Sequence, residues 1–522
     1  MDNIKVLDCT LRDGGYINDW NFGKENIKKI IDKLSKANID IIECGFISNK
    51  KTYDDNHTKF NTIEEFNSFI PSDYKGLAVC MMNFGEYNVS DLSLKADNKI
   101  GGIRIAFHKK DRFEALKLSK QIKDKGYKVF LQPMLSLSYS DEEFVQLIML
   151  ANEIDPFAFY IVDSFGSMDA EDLVRYYDLT KNNLNSNINI GFHSHNNLQL
   201  SYSNALMLLK KYGNDKMIID SSIYGMGRGA GNLNTELFLG QLNKIENYKY
   251  NTDYLFEIID DVLYSIYRKN SWGYSLPYYF SAINCCHPNY ASYLVEKNTL
   301  SISTIGKILK SIPEDKKMIF DKEYIEKKYI DYQETKVNDF EDIKKLREII
   351  GNKKVLLLGP GKRILDESEK IKRFIHNESP FVISVNFVPE DYDVDMIFIN
   401  SNKRFGENKV YNKPLLITSN INYKNLDNCY IIEYSNYLNG NSIVSDNALL
   451  MLLKLFDLNM SNEVFLAGFD GYNEGDYYNI LNKEHEKNEA ILEGLTEITK
   501  KQKIKLLTNS RYNKILETYH EI

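Results

Sequence analysis

Three stretches of the chain carry side chains from which a reaction centre could be built. They are Asp8-Cys9-Thr10-Leu11-Arg12-Asp13-Gly14-Gly15, the pair His193 and His195, and the loop from Gly225 to Asn232. Residues i and i+2 of a strand share a face, so His193 and His195 can aim both imidazoles at one point. Two imidazoles with the carboxylate of Asp13 make three protein ligands and leave positions open for water and substrate. That mix suits Mn2+, Mg2+, Zn2+ or Fe2+, and the ligand types do not choose among them; Mn2+ or Mg2+ is expected, with Zn2+ the alternative. A divalent ion there would act as a Lewis acid on a ketone and its neighbouring oxygen. Arg12 would add a fixed positive charge where an enolate oxygen develops. Each motif also has a plain reading: a half-buried His pair, an Arg12–Asp13 salt bridge closing the end of a fold, a tight Gly-rich connection. Their arrival at one place is what would separate the two readings.

The elements that must position them follow from the apolar periodicity. Short apolar runs begin at Ile4, Asp40, Leu77, Gly102, Lys128, Ala158, Ile188 and Met217, most of them separated by amphipathic helical stretches. Eight such units predict a TIM (β/α)8 barrel, whose active sites lie at the C-terminal strand ends. Those ends carry Asp8 to Gly15, Glu43, Asp163-Ser164, the two histidines and the Gly-rich loop. The expected organisation is a catalytic barrel over 1–250, a helical extension over 251–330, a charged connection over 331–352 and an α/β domain over 353–522.

The segments DCTLRDGG, GFHSHNN and GAGNLNTE, in that order, make residues 1–245 resemble the DRE-TIM metallolyase superfamily. That superfamily includes HMG-CoA lyase, isopropylmalate and homocitrate synthases and 4-hydroxy-2-oxovalerate aldolase. The resemblance implies that Asp13, His193 and His195 bind a divalent metal and that Asn232 joins or supports them. It implies that Arg12 stabilises an enolate and that Glu43 is the acidic residue at the end of the second strand. DCTLRDGGYIND is most similar to the hydroxy-oxovalerate aldolase branch, but Tyr16 stands where that branch has its His base. The Gly-rich loop also lacks the catalytic Cys of HMG-CoA lyase. Tyr16, Tyr224 and His287 are the candidates for proton transfer. The implied reaction is an aldolase or lyase step through a metal-bound enolate of a pyruvate-like 2-oxo acid, with an aldehyde as second partner. Acyl-CoA-dependent Claisen condensation is the alternative within the superfamily.

After the barrel, WGYSLPYYFSAINCCHPNYASYL reads as an aromatic-rich helical segment. Its Cys285-Cys286-His287 is either a reactive cluster or a buried stretch. From Lys353 a second α/β pattern begins, with strands expected in KKVLLLG, FVISVNF, DMIFIN, PLLIT, CYIIEY, EVFLAGFD and KIKLLT. This is the pattern of an open Rossmann-like sheet. Gly359 and Gly361 follow its first strand, where backbone N–H groups can cradle a phosphate. Ser445 is expected as the N-cap of the next long helix. SDNALLMLLKLFDLNMSNEVFLAGFDGY resembles the helix–strand unit of sialyltransferase-like and pterin pyrophosphokinase-like domains. That resemblance implies a nucleotide or nucleotide-sugar near Gly359, Gly361, Ser445, Asp470 and Gly471. Transfer chemistry in this domain, beside a ligand-binding barrel without turnover, is the third functional reading.

Composition narrows the class. Net charge is −8, from 65 basic and 73 acidic residues, with no long basic run, so nucleic-acid binding is not expected. Six cysteines without CxxC spacing argue against a disulfide scaffold or a Cys-rich zinc site. No signal-peptide pattern opens the chain and no apolar run is long enough for a membrane span. A cytoplasmic protein is expected, and a homo-oligomer is compatible with the sequence.

Overall fold

In the computed structural model, which describes residues 3–245, 250–407, 411–423, 428–473 and 484–519, the chain divides into two compact units. One comprises Met1–Ala291 with Ile312–Phe320, the other Ser292–Ser311 with Asp321–Ile522. The helical region after the barrel is therefore shared between them.

The first unit is a closed parallel barrel. Its strands are β1 (Ile4–Asp8), β2 (Ile41–Ile47), β3 (Leu77–Asn83), β4 (Gly102–Phe107), β5 (Lys128–Pro133), β6 (Ala158–Asp163), β7 (Asn189–Ser194) and β8 (Met217–Ser221). Each pairs in parallel with its sequence neighbours, β8 pairs with β1, and β1 pairs with β2, which closes the ring. The two-residue strand Lys59–Phe60 adds to the edge of β2 beside a register shift between Glu43 and Phe46.

The strands read as near-continuous apolar runs because both of their faces are buried. Alternate residues fill the interior, among them Leu7, Ile41, Val79, Phe130, Tyr160 and Ile218. The other parity, including Val6, Ile42, Cys80, Ile103, Leu131 and Ile219, packs outward with the helices. Helix Lys24–Lys36 shows how that outer layer is read: Ile27, Ile30, Ile31 and Leu34 recur at helical spacing and are its buried residues. Helix Asp141–Ile154 starts on a capping box, in which Ser140 accepts from the Glu143 N–H and Glu143 accepts from the Ser140 N–H.

The second unit is an open parallel sheet covered on both faces. Its strands are β9 (Val355–Leu358), β10 (Phe381–Val385), β11 (Met396–Ile399), β12 (Leu415–Thr418), β13 (Cys429–Ile432), β14 (Val464–Ala467), β15 (Ile504–Leu506) and β16 (Glu517–Thr518). Their spatial order is β13-β12-β11-β10-β9-β14-β15-β16. Val355, Leu357, Ile383 and Leu466 point into one apolar layer, and Leu356, Leu358, Val382 and Phe465 into the other. Helix Ala448–Asn459 belongs to the first layer and buries Leu449 to Leu453, Leu455 and Phe456. Its N-cap is Asn447, whose side chain accepts from the Leu450 N–H, and not Ser445 as the sequence suggested. No helix among the described residues is long and apolar enough to cross a membrane.

Candidate metal centre

Interior parity carries the polar chemistry. In β7 the residues pointing inward include His193, and two residues on, just past the strand end, comes His195. The turn after β1 brings Asp13 beside them. One ligand atom from each of Asp13, His193 and His195 lies within 4.8 Å of the others, and all three residues are buried. Asp13 Oδ2 is 3.8 Å from His193 Nε2 and 3.7 Å from His195 Nε2. The two rings are nearly perpendicular, at 89°.

The protonation states fit ligation. Burial by itself would raise the Asp13 carboxyl, but Arg12, His195, His193 and Arg228 together hold it well below the usual carboxylate range. Burial pushes His195 down to about 3, so its imidazole is neutral near pH 7 with a lone pair available. His193 Nδ1 lies 2.9 Å from Asp220 Oδ2. Donation to that carboxylate fixes the tautomer and leaves the Nε2 lone pair toward Asp13. Asn232 Nδ2 donates to Asp13 Oδ2 at 2.6 Å, while its Oδ1 is buried with no partner among the described residues. One carboxylate and two imidazoles converging on one point fit a divalent ion.

Gly227 tests how closely this assembly is set. A Cβ at Gly227 would lie 2.1 Å from Asn232 Nδ2 and 3.4 Å from Asp13 Oδ2, so Asn232 would have to leave Asp13. Gly227→Ala is expected to weaken divalent-metal affinity by roughly 10- to 100-fold, the effect usual for losing a group that orients a ligand. Calorimetric titration with Mn2+ checks this; an unchanged affinity would remove Asn232 from the metal assembly.

Arg12 is buried beside the triad. Its Nε donates to Glu43 Oε2 and its Nη1 to Asp13 Oδ1, both at 2.8 Å, while Nη2 makes no bond among the described residues. Glu43 also pairs with Arg104 at 2.8 Å, and Arg104 pairs in turn with Asp220. Tyr160 donates to the other Asp220 oxygen at 3.0 Å. A fully buried row of charges therefore runs across the barrel interior from Asp13 through Arg12, Glu43 and Arg104 to Asp220 and back to His193. Sequence reading gave Arg104, Asp220 and Tyr160 no role. The signal was interior parity: Tyr160 shares a strand face with Ala158 and Val162, and Asp220 with Ile218, all of which fill the barrel.

Above the triad lies a cavity of about 320 Å3, lined by Arg12, Asp13, Tyr16, His193, His195, Arg228 and His287 among others. Tyr16 is 42% exposed, and Arg228 sits over its ring, 5.3 Å from the centroid. Of the proton-transfer candidates, Tyr16 and His287 reach the cavity. Tyr224 does not; it packs edge-on among Tyr264, Tyr267 and Trp272. His287 Nδ1 faces the Asn289 N–H at 3.2 Å and its Nε2 faces Arg228 Nη1 at 3.5 Å, so both ring nitrogens look toward donors. Burial and then Arg228 push its pKa far down. Cys286 is buried with its thiol against Ser281, and Cys285 is exposed; neither lines the cavity. Asp163 at the end of β6 is also spent elsewhere, accepting from the Ser167 and Met168 N–H groups.

Residues 103–262 match the HMGL-like family. The matched residues lie within the first unit. A 4-hydroxy-2-oxovalerate aldolase from Geobacillus genomosp. 3 is 28% identical over 267 residues, which span 50% of this chain and 77% of that protein. An oxaloacetate decarboxylase from Mycobacterium tuberculosis is 25% identical over 46% of this chain and 70% of its own length. Among solved structures, the N-terminal domain of a putative aldolase from Bacteroides vulgatus superposes with a TM-score of 0.50 at 28% identity. It covers 58% of this chain and 99% of that domain. The HMGL-like resemblance read from DCTLRDGG, GFHSHNN and GAGNLNTE agrees with these matches.

In the second unit, Gly361, Asp470 and Gly471 line a separate cavity, whereas Gly359 and Ser445 do not. Gly359 packs against the Gly468 carbonyl instead, where a Cβ would come within 2.6 Å.

Proposed function

We propose that the HMGL-like domain is a divalent-metal-dependent lyase that breaks or forms a carbon–carbon bond beside the ketone of a 2-oxo acid, through its enolate. One observation carries this reading: Asp13, His193, His195 and the anchored guanidinium of Arg12 all face the same 320 Å3 cavity. A bound divalent ion would supply Lewis acidity to the ketone. Arg12 supplies a fixed charge for the oxygen that becomes anionic, and its two carboxylate anchors keep that charge from reorganising during the reaction. Arg228 offers the substrate carboxylate a second cation. His287, held neutral by burial and by Arg228 beside it, adds no second charge to this wall of the cavity. Tyr16, at the rim beside Arg228, is assigned to proton transfer.

The two named relatives point to the same fragment. Retro-aldol cleavage of 4-hydroxy-2-oxovalerate and decarboxylation of oxaloacetate both leave the enolate of pyruvate, so pyruvate itself is the first probe. Purified protein is expected to hold close to one divalent ion per chain and to exchange the C3 protons of pyruvate with deuterium, followed by NMR. His193→Ala should lose both. Exchange that persists in the metal-free variant would overturn the role of the metal, and metal without exchange in the wild type would overturn the pyruvate enolate.

A further inference from the structure

The second unit has a cavity of about 470 Å3 that the barrel reading leaves without a purpose. Its position follows from topology. Strands β10 to β13 extend to one side of β9, and β14 to β16 to the other, so the chain direction across the sheet reverses between β9 and β14. Where neighbouring strands send their following segments to opposite faces, a crevice opens at the carboxyl ends, and ligands of open α/β sheets bind there. Gly361 and Lys362, just after β9, and Gly468 to Asn473, just after β14, line this cavity. Its volume is within the range of small-molecule sites.

The glycines do not argue for a ligand. A Cβ at Gly361 would meet the Gly468 carbonyl at 2.4 Å, and one at Gly468 would meet the Gly359 carbonyl at 2.4 Å. Close packing of the two loops accounts for all three. Lys297 and Asp470 have no such account. Lys297 lines the cavity, with its ammonium 5.2 Å from the ring centroids of both Tyr293 and Tyr329. It donates to the Ser442 carbonyl and to Ser445 Oγ, but no carboxylate among the described residues lies within ion-pair distance. Burial pulls its pKa down, and Asp446, Glu326 and Glu296, none of them in ion-pair contact with it, only partly offset this. Asp446, the buried acid on the same wall, is already occupied by the hydroxyls of Tyr329 and Tyr434.

Asp470 is the complementary case. Its Oδ2 accepts from the Arg363 N–H at 2.9 Å, while its Oδ1 is buried with no partner among the described residues. Among the described residues, the cavity thus presents an ammonium with no carboxylate in contact and a carboxylate oxygen with no donor. The start of helix Ala448–Asn459 adds a third feature. Asn447 caps the Leu450 N–H, while Ala448 and Leu449, whose N–H groups fall in the uncapped first turn, line the cavity. Such a terminus favours negative charge.

We infer that this cavity binds a phosphate ester carrying free hydroxyls, with the phosphate compensating Lys297 and a hydroxyl donating to Asp470. Nucleotides and sugar phosphates share that chemistry. The site is independent of the barrel reaction. The test is calorimetric titration of the full-length protein with the four ribonucleoside monophosphates, glucose 1-phosphate, glucose and inorganic phosphate. At least one ester should bind saturably below ~1 mM, glucose should not bind, and inorganic phosphate should bind more weakly than the ester. Lys297→Met should weaken the ester about tenfold or more, and Asp470→Asn should weaken the ester while leaving inorganic phosphate unchanged. Tighter binding of a nucleoside monophosphate or of glucose 1-phosphate identifies the source. No saturable ester binding, inorganic phosphate binding as tightly as every ester, or affinities untouched by both substitutions would overturn the assignment. If Lys297→Met does not fold, Asp470→Asn carries the test alone, since its carboxylate sits on a loop and the amide preserves its shape.

Discussion

Arg12→Lys is expected to keep its metal and lose ~10^2- to 10^3-fold in the rate of pyruvate proton exchange, the range seen when one preorganised donor to a developing oxyanion is removed. The charge survives this substitution, so the loss must come from geometry. Arg12 is fixed at two nitrogens, Nε on Glu43 and Nη1 on Asp13, by bonds of 2.8 Å each. Because the guanidinium is planar, two anchored nitrogens set the direction of the third. A lysine ammonium can satisfy one carboxylate or face the substrate, but it has no rigid fork with which to do both. The loss should appear in kcat, with KM for the 2-oxo acid changed far less, because the interaction strengthens as the oxygen becomes anionic. Metal content measured beside the kinetics separates this from collapse of the site. An exchange rate within about threefold of wild type, with metal retained, would show that Arg12 only balances Asp13 and Glu43.

How far the site could be read from sequence depends on how locally each relation is encoded. The eight barrel strands were legible because parallel strands buried on both faces are written as unbroken apolar runs. The seven strands expected in the second unit were legible as short apolar runs too, although β13 is only half-buried, and β16 escaped because Glu517 and Thr518 make too short a run to stand out. His193 and His195 announce a shared direction through i, i+2 spacing alone. Arg104 and Asp220 could not be paired that way, since they lie 116 positions apart and meet only when the barrel closes. Within GIRIAF and MIIDSS each looks like an isolated polar residue in an apolar strand, which interior parity alone could have flagged. His287 belongs to the helical segment after the barrel, and no periodicity states where that segment lies against the strands. At residues 445–447 three competent caps, Ser445, Asp446 and Asn447, stand in a row. Asn447 takes the role because its side chain, in an extended backbone conformation, reaches the Leu450 N–H.

The second large effect falls on a residue that touches neither metal nor substrate. Asp220 is fully buried and holds three groups at once: Arg104 and His193 through Oδ2, and the Tyr160 hydroxyl through Oδ1. Burial raises its pKa, but Arg104 and then His193 outweigh that and keep it ionised. Asp220→Asn removes the charge and keeps the shape. Arg104 stays charged, because Glu43 remains beside it at 2.8 Å, yet it loses half of its compensation in a medium that screens poorly. Breaking a buried pair by removing one partner costs about 3–5 kcal/mol, which for a unit of this size lowers the thermal midpoint on the order of 10 °C. Metal affinity should fall as well, by roughly 10- to 100-fold, because a neutral amide no longer holds the Nδ1 proton of His193 firmly and both tautomers become populated. The two readouts separate the roles. Arg104→Met with Asp220→Asn removes the stranded cation, so the double variant should recover thermal stability relative to Asp220→Asn alone. Metal affinity should stay low, because His193 still lacks its carboxylate. If affinity returned together with stability, Asp220 would serve the charge balance of the barrel interior and not the orientation of the histidine.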